Sequence, residues 1–147
     1  MSKLIISGNG KKNVVGAIIY AISFVAEIFG GVAMYFYAEQ NLYGDEKQMF
    51  RILGIVLIVF SVVSIWQLIT LIFRIRTKID VYDDYITGDG LEKSLNLQNF
   101  KLTYDQISNV DVVKRVAVII YTSYTKYTCY VPKCNEIRNA ILKNKNL

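Results

Sequence analysis

The chain has 147 residues, with 17 Lys and Arg against 12 Asp and Glu, a net charge of +5, and no histidine. Histidine-based acid–base and triad chemistry is therefore excluded, and two cysteines without histidine are too few ligands for a zinc site. Hydrophobic residues make up 53% of the chain and the mean hydropathy is +0.31, high for a soluble protein of this size.

Residues 1–13 form a basic leader containing Lys3, Lys11 and Lys12. Within it "KLIIS" followed by "GNG" reads either as a short strand and turn or as an unstructured leader. "GNGKK" fails as a phosphate loop: Ile5 stands where the first glycine of a Walker motif is required, and Lys12 replaces the Ser or Thr.

The apolar residues gather in two blocks. Residues 14–38 carry a single charge, Glu27, and residues 52–73 carry none. About 20 helical residues cross a hydrocarbon core, so both blocks predict transmembrane helices. A signal peptide does not fit the first, because its apolar run far exceeds a core of about 7–15 residues and ends in large aromatics. The connecting residues 39–51 read as a short outer loop. Lys3, Lys11 and Lys12 precede the first span and Arg74, Arg76 and Lys78 follow the second. This basic excess predicts that both termini are cytoplasmic.

From Thr77 onward ten Lys and Arg face eight Asp and Glu. Much of the net charge is therefore juxtamembrane, beside anionic headgroups. Residues 77–147 predict a small cytoplasmic β-rich domain. "KIDVYDDYIT" alternates like a strand and leads to Gly88-Asp89-Gly90, which predicts a hairpin turn. "LEKSLNL", "NFKLTY" and the imperfectly alternating "ISNVDVV" come next as strands. "RVAVIIYTSY" reads as a central strand, with "YTCYV" pairing back against it. Asn135 is a plausible N-cap for a last helix whose apolar stripe is Ile137, Ala140 and Ile141. The expected fold is thus a two-helix transmembrane hairpin, then a five- or six-stranded antiparallel sheet or partial barrel with a C-terminal helix. Cys129 and Cys134 read as small apolar residues, since a reducing cytosol disfavours a disulfide.

The order "ITGDG…FKLTYDQISNVDVVK…VIIYTSYTKYTCYVPKCNEIRNAIL", over residues 78–143, resembles the small bacterial pleckstrin-homology domains, many of which follow two transmembrane helices. This segment is shorter than a full pleckstrin-homology barrel, so strands would be missing or supplied by "KLIIS" or a neighbouring subunit. In architecture the chain is also similar to the two-transmembrane, β-rich effectors of nucleotide-signalling antiphage systems of the CBASS and Hailong types. These resemblances imply a bacterial inner-membrane protein.

Asp83-Asp84 falls in an expected strand, so its carboxylates should point to opposite faces and share neither proton nor metal. No enzyme signature appears, and no cofactor or metal is implied. Glu27 is the first candidate for function, since a mid-bilayer charge on an isolated helix costs about 2.5–3.5 kcal/mol. Gly16, Tyr20, Ser23, Glu27 and Gly31 form one small-and-polar stripe at helical spacing, with a weaker polar line through Ser61, Ser64 and Gln67. The stripe predicts a homo-oligomer with Glu27 turned inward. Two roles remain open for it, besides an interfacial, snorkelling position. Copies of Glu27 could line a gated, channel-like pore, or a protonated Glu27 could glue the assembly through Ser23 or Gln67 of a neighbour. In the domain, Lys114 and Arg115 at one turn and Tyr124 and Lys126 at the next suit a nucleotide or oligonucleotide ligand through charge and stacking. They equally suit a lipid headgroup, or solvated turns over a tyrosine-packed sheet. The alternative to a channel is a non-conducting anchor whose domain binds a cytoplasmic protein partner or lipid.

Overall fold

The computed structural model describes residues 2–145; the ends of the leader and of the β-rich domain, at Met1, Asn146 and Leu147, lie outside the described residues. The chain divides into two compact units, one of residues 15–69 and one combining the leader up to Val14 with everything from Thr70 onward.

The first unit is the body of a helical hairpin of α1 (Val14–Asn41) and α2 (Gly44–Ile75), whose outermost residues, Val14 and 70–75, belong to the second unit. Both helices are long and apolar enough to cross a membrane, and only 11% and 17% of their most apolar stretches are buried. Surfaces that bare are not those of a soluble core helix. Residues 39–51, expected as a loop, are almost wholly helical, and only Leu42 and Tyr43 connect the helices. Charge ends an apolar run without ending a helix. Glu39 on α1 pairs with Lys47 at 2.8 Å and Arg51 at 3.1 Å on α2, and Arg51 also stacks over Tyr35. Asp45 and Glu46 occupy the first turn of α2, where carboxylates suit the positive end of the helix dipole. Gly44, with φ +60°, makes the reversal.

The helices pack through small residues. Ala17, Gly31 and Ala38 are buried on α1 and Gly54, Ser61 and Ser64 on α2. A Cβ on Gly31 would fall 2.6 Å from the Gly54 carbonyl oxygen, and one on Gly54 would fall 2.7 Å from that of Gly31. Only glycine permits this backbone approach. Gly31 and Ala38, like Gly54 and Ser61, are seven residues apart, the repeat of a left-handed helix seam.

The second unit is a curled antiparallel half-barrel with a helix. Its strands are β1 (Leu4–Asn9), β2 (Lys78–Tyr82), β3 (Tyr85–Lys93), β4 (Asn96–Thr103), β5 (Ile107–Val113), β6 (Ala117–Thr122) and β7 (Lys126–Cys129), followed by α3 (Cys134–Lys145). The order is β1-β2-β3-β7-β6-β5, with β4 paired to β3. "KLIIS" does form a strand: β1 joins β2 from Leu4 opposite Tyr82 to Asn9 opposite Lys78. It brings the count to seven, where five or six were expected.

Two local expectations are corrected. Gly88-Asp89-Gly90 lies inside β3, and the turn falls at Asp83-Asp84. These glycines serve proximity, not positive φ: a Cβ on Gly88 would meet the Lys78 carbonyl oxygen at 2.2 Å, and one on Gly90 would meet Tyr127 Cβ at 2.9 Å. The two aspartates tie the turn to the leader, through Lys3 N–H on Asp83 Oδ1 at 3.0 Å and Ser2 Oγ on Asp84 Oδ2 at 2.9 Å. Asn135, expected as an N-cap, is instead in the first turn of α3, which begins at Cys134.

The alternation of "ISNVDVV" is imperfect because the β5–β6 register shifts between Ile107 and Asn109. The irregularity lets Ile107 and Val110, three apart, both face inward. They join Ile79, Val81, Ile86, Phe100, Val118 and Ile120 in the core, closed by Ile137 and Ile141 of α3, with Ala140 packed at its margin. Cys129 and Cys134 are buried and unpaired within it. Burial raises both thiol pKa values, further for Cys129, where the nearby Asp89 charge adds to it.

Candidate functional site

In the hairpin, Ser64 Oγ donates to Glu27 Oε2 at 2.8 Å. The helical seam sets this pair opposite each other, and Glu27 is half-buried there. The stripe read from the sequence divides between roles. Gly31 lies in the seam against Gly54. Ser61 is buried and donates to the Ile58 carbonyl at 2.7 Å within its own helix. Gly16, Ser23 and Gln67 are half-buried, and Tyr20 remains 37% exposed. Helical spacing alone puts Ser64 on a separate, weaker line of α2; its pairing with Glu27 becomes evident only once the helices are in register.

In the β-rich unit the expected ligand residues do not come together. Lys114 and Arg115 form the β5–β6 turn, whereas Tyr124 lies in the β6–β7 turn and Lys126 opens β7 opposite Tyr121. The six residues of β6 separate them, roughly 20 Å at strand rise, too far for one small ligand to bridge. Tyr124 is 99% exposed and lines a depression of about 280 Å³ with Leu102, Gln106 and Tyr127. Lys114 and Arg115 line a different one of about 370 Å³ with Asp111, Asn135 and Arg138. Arg138 Nε donates to the Val110 carbonyl at 3.1 Å, which fixes the guanidinium beside the turn. Sequence pattern does not reveal Arg138 or Asn135 as site residues, because nothing local says that α3 packs against β5.

The junction where the sheet meets the helix ends is equally invisible in the sequence. Lys12, read as a membrane anchor, extends its Nζ to the Val131 and Val116 carbonyls at 2.7 and 3.0 Å. Gly10 N–H donates to the Thr77 carbonyl at 2.8 Å, and Thr77 Oγ1 accepts from Tyr130 N–H at 2.9 Å. Arg74 stacks over the Tyr130 ring at 4.6 Å. A Cβ on Gly10 would fall 2.0 Å from the Arg74 carbonyl oxygen, so the leader and the end of α2 meet at backbone distance.

No protein-family model, curated protein or solved structure matches the chain. The two long apolar helices followed by the curled sheet and terminal helix agree with the architecture of the resemblance.

Proposed function

We propose that the protein is a non-conducting membrane anchor carrying a β-rich binding module. The observation that supports this best is the Ser64 hydroxyl on the Glu27 carboxylate within one hairpin. A mid-bilayer acid with a donor on its own chain has a polar partner without a ring of copies around it. Gly31 of the stripe, and Ser61 and Ser64 of the weaker line on α2, also have intrachain roles as seam and hydrogen-bonding residues. β1 precedes α1 and pairs with β2, which follows α2. A chain that crosses twice thus keeps both flanks on one side, and the flanking Lys and Arg favour the cytoplasmic side of a bacterial inner membrane.

A second reading has its own support. Ser64 engages one oxygen, yet Glu27 is only half-buried, so further copies would complete its cover. In this reading the homo-oligomer is a channel-like effector gated by a ligand of the β-rich domain, antiphage nucleotide signalling being its most concrete form.

Inducible expression with a membrane-potential dye separates the two. The anchor predicts no depolarisation by the natural sequence, Glu27→Gln or Glu27→Leu. Depolarisation that disappears in either variant refutes the anchor and establishes the channel.

A further inference from the structure

We infer that the concavity between the β5–β6 turn and α3 is a phosphate site for anionic phospholipid headgroups, an assignment that builds on the anchored-module reading. Its cations are Lys114, Arg115 and Arg138, set against the single carboxylate of Asp111. That carboxylate already accepts from Asn109 Nδ2 at 3.4 Å. The Arg138 bond to Val110 uses one guanidinium N–H and leaves the others for a ligand. A planar guanidinium fork held in place suits phosphate oxygens, and the lysine adds a mobile point charge.

Position selects the source of the phosphate. Val116, next to Arg115, has its carbonyl bonded by Lys12, two residues before α1 begins at Val14. Lys12 also bonds Val131, whose neighbour Tyr130 carries Arg74 from the end of α2. The basic turn therefore belongs to the end of the β-rich unit from which both apolar helices depart. Anionic headgroups attract basic side chains at that level. The lining has no aromatic side chain, so a nucleobase would find no ring to stack upon; the exposed Tyr124 lies at the other end of β6.

Backbone conformation points the same way. Lys114 and Arg115 have φ of 48° and 57°, and Val116 N–H closes the turn on the Val113 carbonyl at 2.9 Å. Two successive left-handed residues are the place for Asn-Gly in a tight hairpin. Two long cations there are strained, and strain retained at a surface turn invites a functional explanation.

The test uses the full-length protein in uncharged detergent, titrated with phosphatidylglycerol or phosphatidylcholine and read by native mass spectrometry, with ATP as competitor. The natural sequence should prefer phosphatidylglycerol, and ATP should not displace it. Lys114→Asn combined with Arg115→Gly should weaken phosphatidylglycerol binding roughly tenfold or more while raising the Tm, because it relieves the turn. Arg138→Gln should weaken it as well. An unchanged preference in the turn variant overturns the site. Displacement by ATP that depends on the turn overturns the lipid assignment in favour of a soluble phosphate ligand. Because the potential-dye assay reads Glu27 and this titration reads the turn, a conducting protein that still loses phosphatidylglycerol binding would refute the anchor and leave this site standing.

Discussion

Gly30 and Gly31 are neighbours in α1, yet the structure predicts opposite signs for the same substitution. A Cβ at Gly30 meets only Leu57 Cδ1, at 3.9 Å, an ordinary contact. Gly30→Ala should therefore gain the intrinsic helix preference of alanine, up to about 1 kcal/mol. At Gly31 the new Cβ falls 2.6 Å from the Gly54 carbonyl oxygen, 2.8 Å from Ile58 Cγ1 and 3.2 Å from the Ile58 nitrogen. Two of these obstacles are backbone, so no rotamer change relieves them and the helices must separate along the seam. Overpacking of this kind costs typically about 1–3 kcal/mol, which exceeds the propensity gain. Gly31→Ala should destabilise the hairpin while Gly30→Ala stabilises it; because the propensity gain is common to both, the gap between them is the overpacking cost, about 1–3 kcal/mol. Trp66, the chain's single tryptophan, lies on α2, so its fluorescence can report unfolding of detergent-solubilised protein by added dodecyl sulfate. If Gly31→Ala proves as stable as Gly30→Ala, the close seam through Gly31 and Gly54 is refuted, and with it the intrachain account of the stripe.

Two further predictions concern the β-rich unit. Burial raises the Tyr104 pKa above its ordinary value of 10.0, with the Asp83 and Asp84 charges adding to it and the Asn144 hydrogen bond opposing it; its hydroxyl donates to the Tyr82 carbonyl. The folded state thus holds this proton more tightly, and the resulting stability is fully present below pH 10 and lost as pH climbs through the folded value. Tyr104→Phe should flatten that alkaline loss in a denaturation series at rising pH; an unchanged slope refutes the assignment. Cys129 and Cys134, buried with raised pKa values, should react with a thiol reagent at neutral pH only after denaturant is added. Rapid labelling of the folded protein would contradict their place in the core.

The half-barrel was legible wherever side-chain alternation was clean, as in Lys78–Tyr82, where Ile79 and Val81 face inward. It misled where a residue type serves two purposes. Glycine at 88 and 90 signals a turn by its conformational freedom, yet here it makes room for a neighbouring strand. Asp83 and Asp84 read as strand residues because their turn is stabilised by Ser2 and Lys3, some eighty residues earlier, and no local pattern reports such a bond. For the same reason the candidate site was half visible: Lys114 and Arg115 stood out as charge, while Arg138 was hidden in a helix whose docking is a matter of packing.

The amino-acid order by itself determined the two long apolar helices, their hairpin arrangement and the β-rich character of the C-terminal half, and it singled out Glu27 as the one charge in the first apolar run. These depend on composition over a window and on period, both local properties of the chain. Tertiary structure alone decided that Ser64 meets Glu27, that Gly31 is closed against Gly54, that Lys12 bonds to Val116 and Val131, and that Tyr124 stands apart from Arg115. Each of these depends on register between distant segments, which is set by the joint packing of many side chains and not by any one stretch.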